Sequence, residues 1–273
     1  MTLSRRRFLA AAITGSAALG ADAFAFEPDH VVVSRHTLAI PDLPPALEGL
    51  RVAQITDTHL PANQAAATRA LQHLRAEKPD IVMLTGDILE QASAMSVLRD
   101  FAQEARGTVA TVALTGNHEF ARGIPMRELE SAYGRCGVQL LRNARALVPV
   151  RGAMVELLGF DDAIESTPDT GVAVRDVPHA DLRIWSVHEP GYVPELPTLA
   201  IPPHLLLSGH THGGQVRLPG LPPVLPELCA GFVAGWYAGL AAPLYVSRGV
   251  GTSGLPVRFM CPAEVPIFTF RRA

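Results

Sequence analysis

From Leu50 onward the chain repeats one pattern, in which a short apolar run ends in a tight cluster of Asp, Asn, His or Glu, usually with glycine beside it. Five such clusters occur: Asp57-Thr58-His59, Gly86-Asp87, Gly116-Asn117-His118-Glu119, His188-Glu189-Pro190 and Gly209-His210-Thr211-His212-Gly213-Gly214. Strand ends are where sites assemble in α/β sheets, because the strand fixes the backbone while the loop presents side chains. The pattern therefore predicts strands whose ends bring all five clusters to one edge.

The segments between them support this. Arg51 to Thr56 reads as a strand, Asn63 to Glu77 as a helix with Ala67, Leu71 and Leu74 on one face, and Ile81 to Leu84 as the next strand. Met95, Leu98, Phe101 and Ala105 mark a second helix that stops at Gly107, before a strand over Thr108 to Leu114. A third helix is expected from Pro125, a favourable first-turn position, through Leu129 and Tyr133. The second half is richer in strands. Ala146 to Val150 and Met154 to Gly159 read as a hairpin around Arg151-Gly152, followed by strands at Leu182 to Val187, Leu205 to Ser208, Leu244 to Val246 and Val265 to Phe270.

The 273 residues allow one large domain or two small ones. No internal repeat or low-complexity linker divides them, so a single α/β domain over residues 26–273 is expected. An apolar content of 48% with 18% charged residues excludes wholesale disorder. Lys78, the only lysine, sits in Glu77-Lys78-Pro79, which excludes a P-loop. The one basic run is Arg5-Arg6-Arg7, so no nucleic-acid partner is expected.

Residues 1–25 read as a targeting segment. Ser4-Arg5-Arg6-Arg7-Phe8-Leu9 resembles the twin-arginine export motif, and Phe8 to Gly20 follows as a weakly apolar run ending in small residues. Cleavage is expected after Ala25. The run is interrupted by Thr14, Gly15 and Ser16 and falls short of the roughly 20 apolar residues of a membrane span. The expectation is a protein handed to the twin-arginine translocation machinery, periplasmic or associated with the cell envelope, with no stable transmembrane span after cleavage. Its cysteines, Cys136, Cys229 and Cys261, contain no Cys-x-x-Cys pair and read as buried free thiols.

The clusters offer two carboxylates, four imidazoles besides His118, and one amide oxygen. Such a mixed N/O set without sulfur suits Mn, Fe, Zn or Co better than Ca or Cu(I). Seven donors exceed the needs of one ion, whereas two ions sharing a carboxylate would use them all. A pair of ions at roughly 3.5 to 4 Å is a clamp suited to phosphoryl transfer.

In this order the clusters resemble the calcineurin-like metallophosphoesterases over essentially the whole chain after residue 25, and Tyr245 to Phe259 is similar to the C-terminal block of their bacterial exported or membrane-associated branch. The resemblance implies a four-layer α/β/β/α sandwich. It implies one metal held by Asp57, His59, Asp87 and His212 and a second by Asp87, Asn117, His188 and His210, with Asp87 bridging and manganese, iron or zinc as the ion. His118 would contact the phosphate and protonate the leaving oxygen. The implied reaction is hydrolysis of a phosphoester, of phosphodiester or phospholipid type, by in-line attack of a metal-bridging hydroxide. A UDP-2,3-diacylglucosamine pyrophosphatase-like activity on a nucleotide-lipid is the alternative, and export favours envelope-linked or lipid-linked phosphates. A non-catalytic metal-binding protein would be expected to have lost His118 or the bridging ligand, and both are kept.

Many relatives carry a further Asp after the Gly-Asp block, where this chain has Ile88-Leu89-Glu90; a contact behind the ligands depends on it. Arg248 and Arg258 are candidates for substrate phosphate, with structural salt bridges as the competing expectation. Gly249 to Gly254 matches a dinucleotide fingerprint, but Pro256 blocks the helix that fingerprint needs, so a tight loop beside the site is expected. His30, His36, His73, His179 and His204 read as surface or loop residues. Phe120, Arg122, Trp236 and Tyr237 are possible cleft residues, the last two more in keeping with aromatic packing.

Overall fold

The computed structural model describes residues 20–196 and 202–273. The Ser4 to Leu9 motif and all but the last residue of the Phe8 to Gly20 run lie outside them. Among the described residues no helix is long and apolar enough to cross a membrane.

The first strand, β1 (Val31–Ile40), was not foreseen: exposure alternates only in its second half, where Arg35, Thr37 and Ala39 are exposed and Leu38 and Ile40 buried, while Val32 to Ser34 show no alternation. The expected alternation follows: β2 (Arg51–Ile55), α1 (Gln64–Glu77), β3 (Ile81–Thr85), α2 (Met95–Glu104) and β4 (Ala110–Leu114). Next come a short helix that the sequence suggests only as a loop, α3 (Asn117–Ala121), then α4 (Met126–Arg135), with Pro125 at its N-cap, and β5 (Gln139–Leu140). The hairpin of β6 (Ala144–Val150) and β7 (Ala153–Gly159) turns at Arg151-Gly152, both at positive φ. Strands β8 (Leu182–Ser186), β9 (Leu205–Ser208), β10 (Gly235–Tyr237), β11 (Leu244–Val246) and β12 (Ala263–Arg272) complete the chain.

These form two six-stranded sheets, ordered β1-β12-β2-β3-β4-β5 and β10-β11-β9-β8-β7-β6. In the first, β2 to β5 are parallel and β12 runs antiparallel to β2. In the second, β7, β8, β9 and β11 are parallel, with antiparallel β6 and β10 at the edges.

Strand periodicity sorts side chains between layers. Val52, Ile81 and Met83 share a core with Leu157, Ile184 and Leu207 between the sheets. Their neighbours Ala53, Val82 and Leu84 face the other way and pack with Leu71 and Leu74 of α1 and Leu98 and Phe101 of α2. The outer face of the second sheet, with Trp185 and Leu206, is covered by Ala173, Val193 and Leu196. Those three belong to or adjoin the 3-10 turns Thr170–Ala173 and Pro190–Glu195, so among the described residues short turns rather than long helices make the fourth layer of this α/β domain.

Cys136, Cys229 and Cys261 are buried and unpaired. The readings of His36 and His73 need correction. His36 is not a surface or loop residue; it lies in β1 against Tyr245, Phe268 and Trp236, and burial lowers its pKa. His73 lies in α1, bonded to the Val31 carbonyl, whereas His204 is a loop residue as expected, its Nδ1 accepting from the Arg183 amide just before β9. Trp236 packs in that same aromatic group and Tyr237 against Phe232, both on or beside β10.

Candidate metal centre

Asp57 and His59 follow β2, Asp87 follows β3, Asn117 and His118 follow β4, His188 follows β8, and His210 and His212 follow β9. Each strand is an apolar run, so its loop begins where burial of the strand ends. Backbone bonds then tie the loops together. Asp57 N donates to the Gly86 carbonyl at 3.0 Å, His59 N to Asp87 O at 3.0 Å, and Leu60 N to Ile88 O at 2.9 Å. The Asp57 carboxylate accepts from His210 N at 3.0 and 3.1 Å, bridging the two sheets.

The motif glycines are required by close approach. A Cβ on Gly86, whose φ is +93°, would lie 2.4 Å from His188 Nδ1, and one on Gly116 would lie 2.4 Å from Asp87 Oδ1. Five of the seven candidate ligands, Asp57, His59, Asp87, His210 and His212, sit at φ between 45° and 69°. Asp, Asn and His tolerate this region best among non-glycine residues, and strained backbone concentrates at functional sites.

Two groups of donor atoms converge, Asp57-His59-His212 and Asp87-His188-His210, each within 4.8 Å, and an overlapping group joins His59, Asp87 and His118. Asp87 Oδ2 is 3.2 Å from His188 Nε2 and 3.8 Å from His59 Nε2; Asp57 Oδ1 is 3.4 Å from His212 Nε2. Asn117 Oδ1 lies 3.1 Å from His210 Nδ1. The structure thus gathers all seven side chains expected to bind metal.

The donor set fits divalent cations. Each of the four imidazoles has its other nitrogen engaged: His59 Nδ1 by Glu90 at 2.9 Å, His188 Nδ1 by Thr85 O at 2.8 Å, His210 Nε2 by Glu227 O at 2.9 Å, and His212 Nδ1 near Gly251 O at 3.3 Å. Such contacts fix the tautomer and aim the remaining nitrogen at a metal. His59 Nε2 and His212 Nε2 approach to 3.0 Å, a contact of lone pairs unless a proton or cation joins them. His188 Nε2 is buried between the two carboxylates without a hydrogen-bond partner.

Electrostatics agrees with this fit. Burial, outweighing Asp57, holds the His212 pKa down to about 3, and burial together with the His188 charge lowers that of His210. Both rings are thereby kept in the neutral form a metal needs. For His188 burial is overcome by Asp87 and Asp57, which raise its pKa strongly; the two carboxylates demand positive charge at this point, from a proton or from a cation that displaces it. Asp87 is held far below the usual carboxylate range, because His188, His59 and His118 overcome the cost of its burial.

Two glutamates organise the centre in ways the sequence reading did not foresee. Glu119 is buried and accepts from four backbone amides, those of Asp87, Ile88, Leu89 and Gly116, at 2.7 to 3.1 Å. It clamps the loop carrying Asp87 to the start of α3. Burial and the Asp87 charge push its pKa up to about 7 against the pull of the amides. Glu90 holds the place of the missing Asp and accepts from His59 Nδ1 at 2.9 Å and His118 Nδ1 at 2.7 Å, while Arg122 Nε approaches its other oxygen at 2.8 Å. The residue types of Gly-Asn-His-Glu and Gly-Asp-Ile-Leu-Glu carried the only sequence signal for these roles.

Among the described residues Arg258 pairs with no carboxylate. It is fully buried, and its guanidinium donates only to backbone carbonyls, including Cys261 O at 3.0 Å and Arg248 O at 2.8 Å. It knits the chain segment 248–261 onto the metal-site loops. Arg248 forms the expected salt bridge, with Glu264 at 2.9 Å. The Gly249 to Gly254 string is a loop on the Asp57 turn, with Gly251 N donating to Asp57 O at 2.7 Å. Phe120 lies under the Arg142 guanidinium, 5.2 Å from its ring centre.

Carboxylates and imidazoles gathered where the strands of two stacked sheets end define an α/β protein built to hold divalent cations. The calcineurin-like phosphoesterase family model matches residues 50–214. The uncharacterized metallophosphoesterase YkuE of Bacillus subtilis is 27% identical over 98% of this chain and 98% of its own length. The phosphodiesterase YaeI of Escherichia coli is 28% identical, covering 96% of this chain and 97% of its own. Among solved structures, the nuclease MPE of Pseudomonas putida aligns with 75% of this chain and 77% of its own at 15% identity and a TM-score of 0.38. The chain belongs to the calcineurin-like phosphoesterase family. It is a metallophosphoesterase, a metal-dependent hydrolase of phosphoric esters.

Proposed function

We propose that the chain is a dinuclear phosphodiesterase, in which Asp57, His59, Asp87 and His212 hold one cation, Asp87, Asn117, His188 and His210 hold the other, and Asp87 is shared. The reading rests on one observation, the convergence of seven side chains in two adjoining donor groups, Asp57-His59-His212 and Asp87-His188-His210, with Asn117 against His210 and Asp87 also facing His59. Bound there, divalent ions polarise phosphoryl oxygens and supply a nucleophilic water at neutral pH. Manganese suits the carboxylate and amide oxygens of this set, with iron and zinc as acceptable substitutes. The cavity beside the site, about 680 Å³, is in the size range of small-molecule pockets and has room for a phosphorus bearing two organic groups. His118 lines that cavity and, held by Glu90, protonates the leaving oxygen. The name of the Escherichia coli relative favours a diester.

The test is hydrolysis of bis-p-nitrophenyl phosphate and p-nitrophenyl phosphate by chelator-treated protein, with and without added Mn. Activity restored by the metal and higher on the diester is expected. Two bound ions per chain with neither ester hydrolysed would overturn the reading.

The export reading belongs to the same proposal: residues 1–25 direct the folded, metal-loaded chain through the twin-arginine machinery to the cell envelope, its support being the Ser4 to Leu9 motif. Replacing Arg5 and Arg6 with lysine is expected to leave the protein in the cytoplasmic fraction; unchanged envelope localisation of that variant would refute it.

A further inference from the structure

The cavity over the metal centre has two unlike halves. Its floor is polar, with Asp87, Asn117, His118, His210 and His212. Its wall is hydrocarbon, supplied by Val216, Leu218, Leu221, Val224, Leu225 and Leu255. Residues 218–226 read Leu-Pro-Gly-Leu-Pro-Pro-Val-Leu-Pro, nine in a row without a polar side chain. Such a run ordinarily goes into a core, yet Leu218 is 48% exposed, Leu221 62% and Val224 89%, and Leu255, from a separate loop, is 66% exposed. A contiguous exposed apolar patch of this kind marks a binding surface.

The loop is fixed to the catalytic edge. Arg217 at its start donates through N to Phe259 O at 2.8 Å and through Nε to Gly213 O at 2.7 Å. Pro223 packs so closely on Gly214 that a Cβ there would lie 2.3 Å from the proline ring. At the end of the loop the Glu227 carbonyl accepts from Nε2 of His210, a candidate metal ligand. Four prolines among its nine residues restrict the backbone further. A rigid apolar wall needs little ordering when a ligand arrives, so contact with it converts efficiently into affinity.

We propose that residues 218–226 and Leu255 form a subsite for a hydrocarbon chain borne by the substrate, whose phosphoester sits on the metal-site floor. The substrate class is then an amphiphilic phosphoester with an alkyl or acyl group a few bonds from phosphorus. The inference rests on the phosphodiesterase reading of the metal site. What favours a substrate chain as occupant is continuity: wall and floor line one cavity, and the wall is bonded to a ligand of the floor.

The test measures binding without turnover. Ethyl phosphate and octyl phosphate, below the micellar concentration of the latter, are titrated calorimetrically into the manganese-loaded protein. Octyl phosphate is expected to bind on the order of 50-fold tighter, as partial burial of six extra methylenes allows. In Leu221→Asn/Val224→Asn the advantage is expected to shrink to about threefold, with ethyl phosphate affinity retained, which also reports an intact fold. Should that variant fail to fold, Leu255→Asn, on the other loop, is read the same way. Equal affinity for the two probes in the wild-type protein overturns the subsite, as does a chain-length advantage that survives the substitutions. A wild-type dimer that the substitutions split into monomers assigns the patch to a second copy and overturns it too. Failure of diester hydrolysis alongside a strong chain-length effect would instead refute the phosphodiesterase reading and leave the hydrocarbon subsite standing.

Discussion

Asp87→Asn is expected to remove both metal binding and turnover while leaving the fold in place. Asn is nearly isosteric with Asp and tolerates the left-handed backbone at this position, where φ is 53°. The Oδ1 contact to the His118 amide, at 2.9 Å, survives as an amide carbonyl accepting the same proton. What is lost is the charge, and this carboxylate is the one that faces His188, His59 and His118 together, at 3.2, 3.8 and 4.0 Å. In a buried centre an uncharged oxygen cannot offset a cation there. Metal ions contribute several kcal/mol of charge stabilisation in the transition state, so kcat is expected to fall by about three orders of magnitude or more. Elemental analysis of the dialysed protein, hydrolysis of bis-p-nitrophenyl phosphate and circular dichroism check the three parts. Full activity in this variant, or full metal content with wild-type kcat, would remove Asp87 from the role of shared ligand.

The candidate ligands were legible because a strand end is a local event. Asp57, Asp87, Asn117, His188 and His210 each follow an apolar run that needs no distant information to be read as a strand, and the order of the runs fixes the order of the loops. The boundaries of α1 followed from periodicity in the same way, whereas the division into two sheets was implied by the family resemblance. What stayed hidden depends on contacts between segments far apart in the sequence. β1 is buried only at its ends and gains its place by pairing with β12, more than 200 residues away. Glu119 acts on the amides of Asp87, Ile88 and Leu89, some 30 residues away, and its own neighbourhood does not announce that these two loops will meet there. Arg258 reads as a partner for substrate phosphate or for a carboxylate, and only the folded chain shows it enclosed by carbonyls. Residues 218–226 carry no motif that the sequence reading used, and only the cavity gives their side chains a direction.

The same dependence on position separates His118 from the other histidines of the centre. Its Nδ1 is held by Glu90 at 2.7 Å, its Nε2 stops 4.0 Å from Asp87, and its side chain is 21% exposed toward the cavity, where His59, His188 and His212 are at 2%, 0% and 7%. Burial alone would lower its pKa, but the hydrogen bond that it donates to Glu90 and the charge of Asp87 raise it, which favours the protonated ring. An imidazolium cannot ligate a metal and is suited to give up a proton. His118→Asn is therefore expected to leave the metal content unchanged and to slow hydrolysis by about 10²- to 10⁴-fold when the leaving group is a simple alkoxide that must be protonated as it departs. With a p-nitrophenolate leaving group, already stable as an anion, the loss is expected to be much smaller. Steady-state kinetics on an alkyl and a p-nitrophenyl diester of the same phosphate separate the two cases. Equal losses on both esters would assign His118 to phosphate binding alone, and a drop in bound metal would make it a ligand, as its place in the overlapping group with His59 and Asp87 would then require.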